Sequence, residues 1–288
     1  MSPEPSIVVA RKNPLTTYIS ELWATRELLV NLTMRDVKGK YRRTIFGQLW
    51  SLINPLATML VYTIVFAVLF RTQPPPGNPS GLNSYPLWLV CGLLPWTFFN
   101  HTVTTCMTSI VDGASLIKKV YFPRIHLPLA EVGAEGFTWM NEMALIVVII
   151  GFLTAGKSLP WVPLMVVFMV LLAMFASGIG MMLAVVNVHF RDMQHFVTIA
   201  LRLGLYLTPI MYPLTIVEKL AEKKGAWVLN VFELNPMAHF TDVFRNLLYD
   251  NRWPNPVDVI WCVACGFVVF GVGSVVFVRN EKKFGRLL

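Results

Sequence analysis

Apolar runs long enough to cross a bilayer recur along the chain. A membrane helix needs roughly 20 predominantly apolar residues. Segments at about 45–70, 86–110, 126–155, 159–186, 194–212 and 257–278 meet that requirement. The first and last are the clearest. The second is interrupted by Pro95 and carries Asn100, His101 and several threonines, which predicts that it lines protein or a hydrated space and not lipid. Pro209 and Pro213 close the fifth.

Two other stretches are too polar to span yet helical in period. Over 15–43, Leu15, Tyr18, Leu22, Leu29 and Val37 share one side while Arg26, Glu27, Arg35, Lys38 and Lys40 fall mostly elsewhere. That pattern predicts a helix lying along the inner membrane surface. Within 213–256, Asn235-Pro236 opens a second amphipathic stretch with Met237, Phe240, Phe244, Leu247 and Leu248 at helical spacing. A stretch of this kind is expected to dip back among protein helices, where its backbone is satisfied. The run 73–81 (QPPPGNPSG) is a stiff, turn-rich loop.

Composition removes most other classes. Hydrophobic residues are 55% and charged residues 14% of the chain, and mean hydropathy is +0.59, against about 25% charged in a soluble domain. Disorder, a disulfide scaffold and a free-standing cytosolic enzyme are excluded. Cys91, Cys106, Cys262 and Cys265 all lie in apolar stretches. The last pair forms C-x-x-C, but on an apolar helix without a second pair or a nearby His, so the cysteines are read as small hydrophobes and no metal site is expected. No removable signal peptide is expected at the N-terminus.

The net charge of +8 is explained by placement. Most of the 24 Lys and Arg cluster in the segments that six spans with cytosolic ends would leave inside. Basic flanks facing anionic headgroups account for the charge without nucleic acid.

Three features bear on chemistry. Gly151 to Ser158 (GFLTAGKS) fits G-x-x-x-x-G-K-[ST]. A phosphate loop must open a helix, however, and the next residues are Leu159-Pro160-Trp161-Val162-Pro163, suited to the start of a membrane span. The match is read as a glycine turn between two spans. Glu131, Glu135 and Glu142 fall within about 40° of each other, with Thr138 on the same helix face. Carboxylates in a span face a bundle interior or a wet cavity. Glu135 and Arg202 stand at equal depth, about 13 Å from the inner end, so an ion pair between them is expected, with a proton relay or contact with substrate as alternatives. Trp88, Trp96, Phe98, Phe99, Tyr206 and Tyr212 gather toward the outer half. They read either as an interfacial aromatic belt or, together with Glu142, as rings and polar groups that meet sugar faces in a channel.

Several motifs occur in a telling order. They are Met34 to Trp50 (MRDVKGKYRRTIFGQLW) running into Asn54-Pro55-Leu56, Tyr85-Pro86, Gly92 to Phe99 (GLLPWTFF), Leu116 to Arg124 (LIKKVYFPR) with Leu127 to Ala130, Asn187 to Asp192 (NVHFRD), Leu207 to Pro213 (LTPIMYP), and Leu234 to Met237 (LNPM). On these motifs the chain resembles, from near residue 28 to its end, the permease subunit of ABC-2-type polysaccharide exporters, the family that moves lipid-linked O-antigen, teichoic acid, capsule or galactan. The loop 73–81 is not part of the matching pattern.

The resemblance implies one all-α integral membrane domain over 1–288. Six transmembrane helices lie within 45–278, both termini are cytosolic, an amphipathic interface helix lies in 1–44, and 279–288 is a cytosolic tail. Re-entrant outer helices fall between spans five and six. It further implies a homodimer in a bacterial inner membrane, enclosing a path for lipid-linked polysaccharide and driven by two separate ATP-binding subunits. ATP and Mg would sit on those partners, with no cofactor and no ATPase site on this chain. Ser115, Leu116, Lys118, Lys119, Tyr121, Phe122, Pro123 and Arg124 would form the coupling segment that docks on the ATPase, with Tyr121 and Phe122 inserting into its groove. Arg26, Arg35, Asp36, Lys38, Tyr41 and Arg42 of the interface helix would make a second contact.

Other functions are weighed against this one. A secondary transporter predicts repeats with paired broken helices, and none is found. A drug or small-lipid exporter of the same family wants a narrower, more apolar path. A membrane glycosyltransferase needs a clustered Asp/His or D-x-D constellation, which the sequence lacks.

Overall fold

A computed structural model describes residues 20–41, 46–225 and 227–287. Leu15, Tyr18 and Arg42 lie outside them. The described chain is helical, with no strand among these residues. In order the helices are α1 (Arg26–Tyr41), α2 (Leu49–Tyr62, continued as a π-helical turn Thr63–Leu69), α3 (Tyr85–Asp112), α4 (Ala114–Ile117) and α5 (His126–Leu153). After a 3₁₀ turn (Leu159–Trp161) come α6 (Val162–His189), α7 (Met193–Leu207), α8 (Leu214–Lys224), α9 (Trp227–Glu233), α10 (Pro236–Arg245, continued as a π turn Asn246–Asp250) and α11 (Pro256–Leu287).

Among the described residues four stretches are long and apolar enough to cross a membrane: Leu49–Leu69, His126–Leu153, Leu159–His189 and Pro256–Gly285. They coincide with four of the six expected spans. The other two exist as helices of different character. α3 has 28 residues but carries a polar face, and α7 has 15. Pro95 does not break α3, which runs unbroken from Tyr85 to Asp112. The end of the bundle that carries residues 113–125 is its basal end, and the opposite end is distal.

α3 is the central helix. It packs on α5, α6, α7 and α10, and its side chains from Trp88 to Phe99 are nearly all buried. Asn187 of α6 donates to the Met107 carbonyl at 3.2 Å, and the Cys106 thiol donates to the Pro128 carbonyl at 3.3 Å. These bonds matter because apolar contact alone gives helices little reason to associate in lipid. The most extensive contact joins α6 and α11. It depends on two glycines: a Cβ on Gly178 would run into the Val269 carbonyl, and one on Gly273 into the Gly178 backbone. Small residues that let backbones touch are the usual device for packing membrane helices.

The turn 154–158 joins two helices: α5 ends at Leu153, and Ala155 and Gly156 take positive φ of 50° and 82°. A phosphate loop would need a strand there, so the G-x-x-x-x-G-K-S match is a helix connection. The Pro-rich loop, unplaced by sequence, rests on the end of α10. The Ser80 amide donates to the Asp250 carbonyl at 3.0 Å, and the Tyr249 hydroxyl donates to the Leu82 carbonyl at 3.0 Å.

Replacing Gly178 by Val should cost the detergent-solubilised protein about 2 kcal/mol or more, because backbone and not a flexible side chain stands in the way. Gly271 has nothing within 4 Å of its would-be Cβ. Gly271→Ala should therefore stay within about 0.5 kcal/mol of the parent. Equal thermal shifts for the two variants would refute the close-approach argument.

Candidate functional site

Three polar helix faces converge inside an otherwise apolar bundle. α2 contributes Ser51, Asn54 and Thr58, α3 contributes Thr97 and His101, and α5 contributes Glu135, Thr138 and Glu142. Each set recurs at three, four or seven residues and so shares one helix face. With Trp50 and Lys40 they line an open cavity of about 510 Å³, of which Asn54, Thr58 and His101 are exposed. Lys40, at the end of α1, places Nζ 2.7 Å from Glu135 Oε1, while His101 Nδ1 lies 3.8 Å from Oε2. Glu142 is buried in the same wall. Hydroxyls, amides, carboxylates and a tryptophan ring around one hollow suit a polar, hydroxyl-rich guest.

Glu135 is therefore not paired with Arg202. Equal depth along the bundle fixes one coordinate only: α7 packs on α3 and α6, and Arg202 is exposed. The shared face of the three glutamates holds for Glu135, Thr138 and Glu142, and Glu131 is half-buried. Lys40 was the partner that sequence reasoning missed. α1 runs beside α5, with Thr25 Oγ1 2.6 Å from His126 Nε2 and Thr33 against Gly133. The helix predicted to lie on the membrane face is thus docked on the bundle. Its buried side carries Leu32 and Val37, and Trp23, Val30 and Met34 remain exposed. Arg26 lies over Trp23 at 5.4 Å, Arg35 pairs with Asp36 at 2.8 Å, and Lys38 is exposed. Tyr41 ends α1; its side chain, like all of Arg42, is not described.

Of the aromatics expected toward the outer half, the four on α3 belong to the core. Phe98 stacks on Trp139 at 4.2 Å and Trp139 meets Phe244 edge-on at 5.6 Å. Phe99 stacks on Phe175 at 5.5 Å and Phe175 on Phe240 at 5.7 Å. Phe240 and Phe244, one turn apart on α10, thus each close a stack of rings that begins on α3. Trp88 and Trp96 are buried too. Ring–ring and ring–core contacts hold most of these faces, while Trp96 and Phe99 also line a cavity of about 370 Å³ between α3, α6 and α7. Tyr206 is 56% exposed, and its carbonyl accepts from the Tyr212 hydroxyl at 2.6 Å.

Arg245, which falls in the connection between the fifth and sixth expected spans, is buried. Its guanidinium donates to the carbonyls of Pro209 at 2.7 Å and Ile210 at 2.6 Å and lies 3.6 Å from the Trp88 ring centre. Burial lowers its pKa to about 10, a value still far above neutrality. Beside it two adjoining cavities of about 640 and 300 Å³ share Leu214, Asp242, Asn255 and Asp258. His239 faces the larger one. Its Nδ1 lies 2.7 Å from Asp258 and its Nε2 2.7 Å from the Glu233 carbonyl. With an acceptor at each nitrogen the ring is held as imidazolium. Burial works against that charge, but the two hydrogen bonds prevail and the pKa is raised.

The basal connection divides its residues. Ser115, Lys118 and Lys119 are exposed, Leu116 and Arg124 half-buried, Pro123 buried. Tyr121 is 92% exposed, whereas Phe122 is 6% exposed and sits among Leu32, Ile117, Phe277 and Phe284. Phe122 is thus a core residue and cannot enter a partner's groove. Arg124 donates to the Glu281 carbonyl near the end of α11.

Residues 27–249 match the model of the family described as ABC-2 type transporter. The chain belongs to the ABC-2 type transporter family. Over 265 residues, 91% of this chain and 95% of its relative, it is 30% identical to the O-antigen export system permease protein RfbA of Klebsiella pneumoniae. The RfbA of Myxococcus xanthus is also 30% identical, over 92% of this chain and 97% of its own. The polysialic acid transport protein KpsM of Escherichia coli is 21% identical over 87% and 92%. ABC-2 permeases of this kind act with an ATP-binding partner subunit and generally carry no ATPase site of their own.

Two outcomes are expected. Lys40→Met should destabilise more than Lys40→Met with Glu135→Gln together, with a coupling of about 1–2 kcal/mol in a double-mutant cycle. Arg202→Met should add independently to Glu135→Gln. A cycle with the opposite pattern reinstates the Glu135–Arg202 pair. A raised His239 pKa contributes stability below the ordinary value of about 6.5 and loses it as pH climbs through the raised one. Thermal stability should fall across that window and flatten in Asp258→Asn; an unchanged slope in the variant would reject the imidazolium.

Proposed function

We propose that this chain is the path-forming subunit of an ATP-driven exporter that moves lipid-linked polysaccharide from the cytosol across the bacterial inner membrane for envelope assembly. The observation that carries the reading is a polar cavity within an apolar bundle, in a chain similar end to end to O-antigen and capsule export permeases. The basal end is cytosolic in this reading, since Lys118, Lys119, Arg124, Arg191, Arg279, Lys282 and Lys283 gather there. α3 and α7 complete six crossings, with α3 more polar because it lines the cavity. α8 to α10 are the re-entrant outer helices. Two copies assemble, which accounts for α2 having no buried side chain in one copy. Two ATP-binding subunits, with ATP and Mg, dock at the basal surface. A galactan or O-antigen chain is the favoured cargo.

Co-purification tests the assembly: an ATP-binding subunit should come down with the chain, and depletion should leave a glycan inside the cell. A chain that hydrolyses ATP alone, with turnover abolished by Lys157→Ala, would overturn the reading. In the complex, Tyr121→Ala should lower export and stimulated ATP turnover together while thermal stability stays unchanged. Phe122→Ala should instead cost about 3 kcal/mol of stability. Normal export by Tyr121→Ala would reduce the segment to a positively charged anchor.

A further inference from the structure

With Glu135 held by Lys40, Arg202 is left without a hydrogen-bond or ion-pair partner among the described residues. Its depth is fixed by a contact. The Trp96 ring packs on Gly204, where a Cβ would come within 2.8 Å of it, and Trp96 stands about 16 Å along α3 from its distal end. Arg202, two residues from Gly204, is therefore near the middle of a hydrocarbon layer about 30 Å thick. That is too deep for its head to snorkel to either surface.

The rest of α7 says which way Arg202 looks. Only Val197 is fully buried on this helix, with Leu201 and Gly204 on the same packed side. Apart from Ala200, the exposed remainder sorts into two stripes, each within an arc of about 80° at 100° per residue. One is Phe196, Ile199, Leu203 and Leu207, exposed by 67, 57, 58 and 51%. The other is His195, Thr198, Arg202 and Tyr206, all exposed. An apolar stripe suits lipid or a second copy of α7. A polar stripe carrying a permanent charge at mid-depth suits neither unless water or a counter-charge meets it.

We propose that the stripe His195–Thr198–Arg202–Tyr206 is a wall of the water-filled export path and that Arg202 is its anion-contact residue, meeting a phosphate or carboxylate carried by the exported molecule. The inference rests on the export reading and deepens it. Arginine fits because its planar fork holds either oxyanion through two parallel bonds and never loses its charge. The Tyr206 hydroxyl, one turn away on the same stripe, supplies a further donor.

The test uses charged thiol reagents in place of cargo. Cys91, Cys106, Cys262 and Cys265 are replaced by serine or alanine, and single cysteines are introduced in native membranes. His195→Cys, Thr198→Cys and Tyr206→Cys should react with both an anionic sulfonatoethyl and a cationic trimethylammonioethyl methanethiosulfonate. Ile199→Cys and Leu203→Cys should react only with a lipid-soluble maleimide. The anionic-over-cationic rate ratio at 198 and 206 should fall about fivefold in Arg202→Gln, as expected for loss of a charge one turn away, and survive in Arg202→Lys. Equal labelling of both stripes, or a polar stripe closed to both reagents, overturns the wall. A ratio indifferent to Arg202→Gln overturns the anion contact. No polymer enters the assay, so failure of the export reading appears separately, in the co-purification.

Discussion

The distal half of the molecule hangs on the guanidinium of Arg245. Pro209 and Pro213 end α7 and leave carbonyls at 209 and 210 that no helix can satisfy. Arg245 reaches both, with the Trp88 ring against its face and Asp242 at 3.8 Å. A charge at this depth is tolerated only when it is so provided for, and the unpaired carbonyls are tolerated for the same reason. The contact also sets a steric condition, since a Cβ on Gly92 would meet Thr241 at 2.8 Å and Arg245 at 3.0 Å. Once α10 is drawn onto α3 in this register, Phe240 and Phe244 fall opposite Phe175 and Trp139, and the two ring stacks form.

Those stacks explain why the aromatics of α3 lie in the core. Aromatic side chains bury large surfaces and prefer partners at defined offsets. Here α10 supplies the partners, so the rings become the joint between a short helix and the bundle. The hydroxyl, amide and carboxylate groups gather instead where α2, α3 and α5 converge. Division of labour among helix faces, and not residue type alone, separates the aromatic core from the polar cavity.

Helix positions and the shared face of Glu135, Thr138 and Glu142 were legible in the sequence, because both depend on period and length. Partners were not. The same spacing that places Glu135 in the interior says nothing of the azimuth of α7 or of where α1 docks, and so depth alone pointed to Arg202. The burial of Arg245 was not read, because position in an outer connection gives a cation no partner. A signal did exist: two prolines closing α7 strand carbonyls that need a donor. Phe122 was misjudged by its neighbours, since Lys118, Lys119 and Tyr121 are exposed while the ring itself turns inward beside Pro123.

The basal contacts join the surface to the cavity without a long chain of intermediates. Arg124 is tied to the end of α11 through the Glu281 carbonyl, and α11 is locked to α6 where Gly178 and Gly273 bring the backbones together. Thr25 meets His126 directly after the exposed segment, and α1 then carries Lys40 to Glu135. Two packed routes therefore run from the surface around Tyr121 into the bundle. One is the pair α6 and α11, whose backbones have no room to slide. The other ends on the Lys40–Glu135 ion pair in the cavity wall, so the charge that the cavity presents is tied by contact to the basal surface.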